Sequence, residues 1–220
     1  MHPRRRALLL KAGMWALCLS PLGWAAYRFF LGDAFGANPI EALEHWSGQT
    51  TLTVLLGALA VTPLRRITGF NDLQKVRRLV GLFAFFYASI HFLMWIGLDQ
   101  FFAWEYIGED IVERPYILVG FTAFLLLVPL ALTSTRGWIR RLGKRWTRLH
   151  RLVYLAAPLG VLHWWWLKKA DYREPMIATV VLALLLGFRV VWAVRARTAK
   201  RNAGQASRSR RDGTPAGAGD

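Results

Sequence analysis

RLHRLVYLAAPLGVLHWWW, residues 148–166, carries two imidazoles, His150 and His163, thirteen residues apart in an otherwise apolar run. What those rings do depends on the solvent around the segment, because an ionisable side chain in an apolar medium is costly. The 220-residue chain is 55% hydrophobic and its mean hydropathy is +0.28, too apolar for an ordinary soluble domain. Charged residues make up only 19% of it, yet the net charge is +16. Basic residues therefore cluster between apolar runs, the pattern of a multi-span membrane protein. Cys18 is the one cysteine, which excludes an internal disulfide framework and a cysteine-based metal or cluster site.

Runs near twenty residues cross a hydrocarbon core of about 30 Å at about 1.5 Å per residue. Six occur, at 8–31, 47–64, 79–98, 116–133, 149–167 and 175–194. The first resembles a secretory signal in its basic start and small residues, but its apolar portion continues through Tyr27, Phe29, Phe30 and Leu31, so it reads as a retained span. The second is the weakest, being short and rich in Thr and Gly. Lipid leaves unpaired backbone groups unsatisfied, so each run is predicted to be helical. The expected fold class is all-α, a six-span transmembrane helical bundle forming one domain over residues 1–195.

The short connections set the orientation. Arg4 to Arg6, Arg65 to Arg78, Arg136 to Arg151 and Arg195 to Arg201 are basic and fall on one side of a six-span chain. Asp33, Glu41, Glu44, Asp99, Glu105, Glu109, Asp110 and Glu113 fall on the other. Lys168, Lys169 and Arg173 dissent, partly offset by Asp171 and Glu174. Both termini are expected in the cytoplasm. Residues 196–220, rich in Arg, Ser, Gly and Ala, read as a disordered basic cytoplasmic tail. Its expected partner is anionic membrane lipid and not nucleic acid. The tail is too short for a flavin or nicotinamide domain, and no dinucleotide fingerprint follows a strand.

Of five histidines, His2 is terminal and His45 interfacial, beside Trp46. His91 lies deep in the third span, His150 opens the fifth and His163 is well inside it. A buried histidine can simply bond a neighbour, and Ser89 and Tyr87 are near His91 in sequence. The set argues for more. Spans three and five run in the same direction from basic clusters, and His91 lies thirteen residues beyond Arg78 as His163 lies thirteen beyond His150. Those equal offsets put His91 level with His163, and Arg77 or Arg78 level with His150. Two facing imidazoles in an apolar bundle suit the axial positions of a b-type haem. Gly81, Ala156, Ala157 and Gly160 offer small positions for a flat ring, and Phe83, Phe85, Phe86, Trp164 and Trp165 offer aromatic walls.

The inner level is asymmetric. Thirteen residues of ideal helix end about 140° short of the starting face, and Pro158 can correct part of that by a kink. His150 then ligates a second haem, alone or with an unusual partner, or holds a propionate with Arg77 and Arg78, or is a cationic helix-end residue. A transporter would want polar groups or broken helices at the midplane of several spans, and little of either is present.

TPLRRITG (62–69), RRLVGLFAFFYASIHF (77–92), KRWTRLHRLVYLAAPLGVLHWWW (144–166) and NPIEALEHWSGQ (38–49) together resemble the haem-binding membrane subunits of bacterial periplasmic protein-methionine-sulfoxide reductase systems, in the ferric reductase-like transmembrane group. The resemblance covers nearly all of the chain except the tail. It implies an inner-membrane subunit that takes electrons from the quinol pool and passes them to a periplasmic molybdopterin-dependent catalytic subunit that reduces methionine sulfoxide. It implies haem ligands at His91, His150 and His163, one or two haems b, and a noncovalent FMN for which no site is read. Related reductases carry a second histidine where this chain has Arg77 and Arg78. They also fuse a flavin and nicotinamide module, so a separate soluble flavin reductase is the alternative electron source. The acidic stretch 99–115 is the expected docking surface for the catalytic partner.

Overall fold

The computed structural model describes residues 3–32, 35–168 and 170–212. Expectations for His2, Asp33, Lys169 and residues 213–220 lie outside the described residues. All regular structure among the described residues is helical: α1 (Pro3–Leu31), α2 (Pro39–Thr68), α3 (Arg77–Met94), α4 (Trp104–Glu113), α5 (Pro115–Leu132), α6 (Arg136–Leu142), α7 (Lys144–Leu149), α8 (Val153–Leu167) and α9 (Arg173–Asp212). Short 3₁₀ turns at Asn71–Lys75 and His150–Leu152 lead into α3 and α8, and a π-helical turn, Trp95–Asp99, continues α3.

Five of these helices are long and apolar enough to cross a membrane: Arg5–Leu31, Pro39–Thr68, Arg77–Asp99, Pro115–Leu132 and Arg173–Ala203. The expected fifth run, 149–167, differs. It is not one helix but the end of α7, a 3₁₀ turn and the 15-residue α8, and at about 1.5 Å per residue α8 alone is about 22 Å long. The second run, expected to be weakest, has the lowest mean hydropathy of the five, 1.2, and is part of a 30-residue helix at the centre of the bundle. Its small polar residues Ser47, Thr50 and Thr62 are buried against neighbouring helices. α9 stays helical to Asp212, through the first part of the basic tail that begins at 196. Ala and Arg, the commonest residues from 196 to 212, are good helix formers, and extending an existing helix avoids the nucleation cost.

The main core joins Leu52, Leu56 and Leu59 of α2 with Ala84 and Ala88 of α3, Leu127 and Leu130 of α5, Ala156, Ala157 and Val161 of α8, and Ala178 and Leu182 of α9. Small residues at these contacts let the helix backbones approach, the common device of helix packing in lipid. α1 lies at the edge. Tyr87 donates its hydroxyl to the Cys18 carbonyl at 2.7 Å and Trp15 meets Phe83 edge-on at 4.9 Å, while Leu8, Leu17, Phe29 and Phe30 point outward. Pro21 has no N–H for the Leu17 carbonyl, which instead accepts from Ser20 Oγ at 2.8 Å, as lipid burial requires. Outside the spans, Asp72 pairs with Arg6 and Lys75, and the Lys75 ammonium holds its carboxyl below the usual carboxylate range.

Candidate cofactor site

His91 comes from α3 and His163 from α8, and their rings face each other across the bundle, centroids 6.3 Å apart and planes at 67°. Each ring is fixed through Nδ1. The carbonyl of Tyr116 can only accept, so His163 donates its Nδ1 proton to it at 2.7 Å. Ser47 donates its hydroxyl to the Glu44 carbonyl at 2.9 Å, so the same oxygen accepts from His91 Nδ1 at 3.1 Å. Both rings are thereby held as the Nδ1–H tautomer, with Nε2 carrying the free lone pair. A hydrogen bond at one imidazole nitrogen that orients the other for a metal is the usual arrangement around ligating histidines. The 6.3 Å between the ring centroids leaves room for one metal ion that both imidazoles would hold through nitrogen, the chemistry of a haem iron.

The backbone makes room for both rings. A Cβ on Gly120 of α5 would lie 2.7 Å from His163 Nδ1, and one on Gly48 of α2 would lie 3.2 Å from His91 Cε1. The two rings line two cavities. One, of about 110 Å³, is walled by Gly48, Leu52, Ala88, Ala123, Ala156, Gly160 and Trp164, with Glu44, His45 and Gln49 among its polar residues. The other, of about 150 Å³, is reached by Trp95 and Asp99 of the π-helical turn, and by Arg114, Tyr116, Ile117 and Phe121. Widened turns of this kind often mark functional sites. His91, His163, Glu44 and Leu167 line both spaces, so a group held by the two histidines would border both.

A third, larger cavity of about 340 Å³ lies on the other side of the core and brings Arg77, Arg78 and His150 together with Gln74, Arg151 and Tyr154. His150 is held unlike the facing pair. Thr133 donates its hydroxyl to the Pro129 carbonyl at 2.6 Å, so His150 Nε2 donates to Thr133 Oγ1 at 3.2 Å. The His150 ring also stacks on Trp146, centroids 3.9 Å apart. Among the described residues that line this cavity there is no second histidine. The 3₁₀ turn at His150–Leu152 turns about 120° per residue instead of about 100°, which recovers about 60° of the rotational mismatch between His150 and His163.

The remaining sequence candidates divide. Gly81 and Phe85 line the Arg77 cavity, and Ala156, Gly160 and Trp164 the histidine-pair cavity; Ala157, Phe83, Phe86 and Trp165 line none of the three. His91 bonds neither sequence neighbour, since Ser89 donates to the Phe85 carbonyl and Tyr87 to Cys18. Sequence reasoning missed Ser47, Gly48, Tyr116, Gly120 and Thr133. SGQ within 47–49 and the glycine of ILVGF carry no marker of their partners, because each acts across a helix interface. It also missed Arg189, a charge inside an apolar run that its intramembrane position alone marks as notable.

A family profile described as the ferric reductase like transmembrane component matches residues 46–161, which hold His91 and His150 and stop two residues before His163. Among similar curated proteins, the protein-methionine-sulfoxide reductase heme-binding subunit MsrQ of Rhodospirillum rubrum is 54% identical over 197 residues, 89% of this chain and 94% of the relative. The MsrQ subunit of Xanthomonas campestris pv. campestris is 50% identical, covering 85% and 88%. That of Herminiimonas arsenicoxydans is 48% identical, covering 92% and 94%. With the helical bundle, the facing histidines and this coverage, the chain belongs to the MsrQ family of protein-methionine-sulfoxide reductase heme-binding subunits, within the ferric reductase-like transmembrane group.

Proposed function

We propose that this chain is the haem-carrying membrane subunit of a methionine sulfoxide reductase system, moving electrons through a bundle of six spans, α8 and its 3₁₀ turn being the sixth. The observation that carries the reading is the His91–His163 pair, with both Nδ1 atoms tied to the protein and both rings lining the same two cavities. Bound there, a b-type haem supplies one-electron transfer. The protein's own part is to orient the two imidazoles through Ser47 and Tyr116, to exclude water with apolar walls, and to keep Gly48 and Gly120 free of side chains that would displace the rings. The outer haem is assigned to His91 and His163, and the inner cavity, with His150, Arg77 and Arg78, to a second haem.

In this reading both termini are cytoplasmic, the membrane is the bacterial inner membrane, residues 1–195 form the haem-binding unit and the basic C-terminal segment lies against anionic lipid. Electrons enter from quinol and leave to a periplasmic molybdopterin-dependent catalytic subunit. The FMN implied by the resemblance is given no residues. The test is the reduced-minus-oxidised spectrum of the purified protein. It is expected to show b-type bands, with one component lost in both His91→Ala and His163→Ala. Full haem content in either variant overturns the pairing, and absence of the bands from the wild type overturns the function.

A further inference from the structure

α2 contains Pro63, which has no N–H to give the Leu59 carbonyl one turn earlier. In lipid such a carbonyl must find another donor. Leu59 is almost fully buried, and its donor comes from α9: Arg189 Nη2 lies 2.6 Å from the Leu59 oxygen. The same guanidinium gives Nη1 to the Tyr154 hydroxyl of α8 at 2.9 Å. Arginine can only donate, so the Tyr154 oxygen is the acceptor and its own proton remains free to donate elsewhere. Tyr154 and Leu59 both line the inner cavity, with Gln74, Arg77, Arg78 and Arg151. Among the described residues that line it there is no carboxylate. Arg189 Nε, buried, has no hydrogen-bond partner.

We infer that Tyr154, oriented by Arg189, is a hydrogen-bond donor to an anionic oxygen group held in this cavity among Arg77, Arg78 and Arg151. Tyr154 is the contacting residue and Arg189 the positioning residue, so α9, outside the matched family segment, completes the inner site. The inference rests on the reading of the inner cavity as a ligand site. The anionic oxygen belongs to a haem propionate or to a lipid phosphate, and the experiment separates the two.

Full-length protein, wild type and Tyr154→Phe, Arg189→Leu and Arg189→Lys, is titrated potentiometrically in detergent while the haem bands are followed, and native mass spectrometry records retained lipid. Loss of a donor or a positive charge beside an anionic group disfavours the reduced haem. In Tyr154→Phe and Arg189→Leu the component that depends on His150 is therefore expected to move to lower potential, by about tenfold in its oxidised-to-reduced ratio, or about 59 mV for one electron. The component that depends on His91 stays in place, and Arg189→Lys falls between. A wild type without a His150-dependent component, but with a bound phospholipid that both variants lose, supports the donor pair with lipid phosphate as the source and overturns the haem assignment of the cavity. An unmoved inner component with no lipid lost overturns the inference. So does an equal shift of both components, the outcome of a merely structural role.

Discussion

The carbonyl of Tyr116 accepts the Nδ1 proton of His163 at 2.7 Å, and Gly120, one turn further along α5, is what lets the two helices come that close. A methyl group there would lie 2.7 Å from the same nitrogen. Gly120→Ala is therefore expected to displace the imidazole and to abolish the His91-dependent haem component, read as the haem-to-protein ratio of purified protein. Gly57→Ala is the control, since nothing lies within 4 Å of its added Cβ and alanine favours helix by about 0.5–1 kcal/mol over glycine. If Gly120→Ala keeps its full haem, the close approach is irrelevant to the site.

Ser47 is wholly buried and relays His91 Nδ1 to the Glu44 carbonyl. Removing its hydroxyl leaves His91 free to rotate or change tautomer, and loss of such an outer partner typically weakens metal binding roughly 10–100-fold. Ser47→Ala is expected to lose the outer haem faster to an excess of an apo-globin acceptor. Ser89→Ala removes a hydroxyl that bonds only the Phe85 carbonyl and should behave as wild type. Equal rates in the two variants would show that the relay does not hold His91.

What the sequence made legible was the part governed by periodicity and depth. Long apolar runs fixed most of the helices, and equal offsets from basic clusters put His91 level with His163. Those readings fail where contact is made across helices. Ser47 sits in the run expected to be weakest because its Thr and Gly content lowers hydropathy, yet those small residues are what a central, closely packed helix needs. The break in the fifth run escaped because a 3₁₀ turn has no strong compositional marker. Arg189 was visible as a charge in GFRVVW, but its meaning depends on Pro63, 126 positions earlier, and only the packing of α9 on α2 joins them.

On the acidic stretch 99–115, α4 presents Glu105, Glu109 and Glu113 at four-residue spacing, all exposed, so the three share one face of the helix. Opposite charge across an interface acts mainly on the association rate. Reversing all three to Lys is expected to slow reduction of the catalytic partner by about tenfold or more at low ionic strength, with the difference shrinking as salt rises. The haem spectrum should not change. Stopped-flow reoxidation of the pre-reduced subunit by its partner measures this, and an unchanged rate removes α4 from the docking surface.

The Pro63–Arg189 relationship makes a prediction about stability that is separate from any ligand. Arg189→Leu withdraws the donor from the Leu59 carbonyl, and a buried acceptor left unpaired costs about 1–3 kcal/mol. Pro63→Ala supplies the missing N–H from within α2, so the carbonyl no longer depends on α9. The loss on Arg189→Leu should therefore be smaller in the Pro63→Ala background than in the wild type, a coupling of the sign and size expected for residues that share one partner. Denaturant unfolding of the four proteins in mixed micelles, followed by helix content, closes the cycle. Additive losses would mean that Arg189 stabilises the fold through Tyr154 alone, and that the carbonyl opened by Pro63 has no part in holding α9 against the bundle.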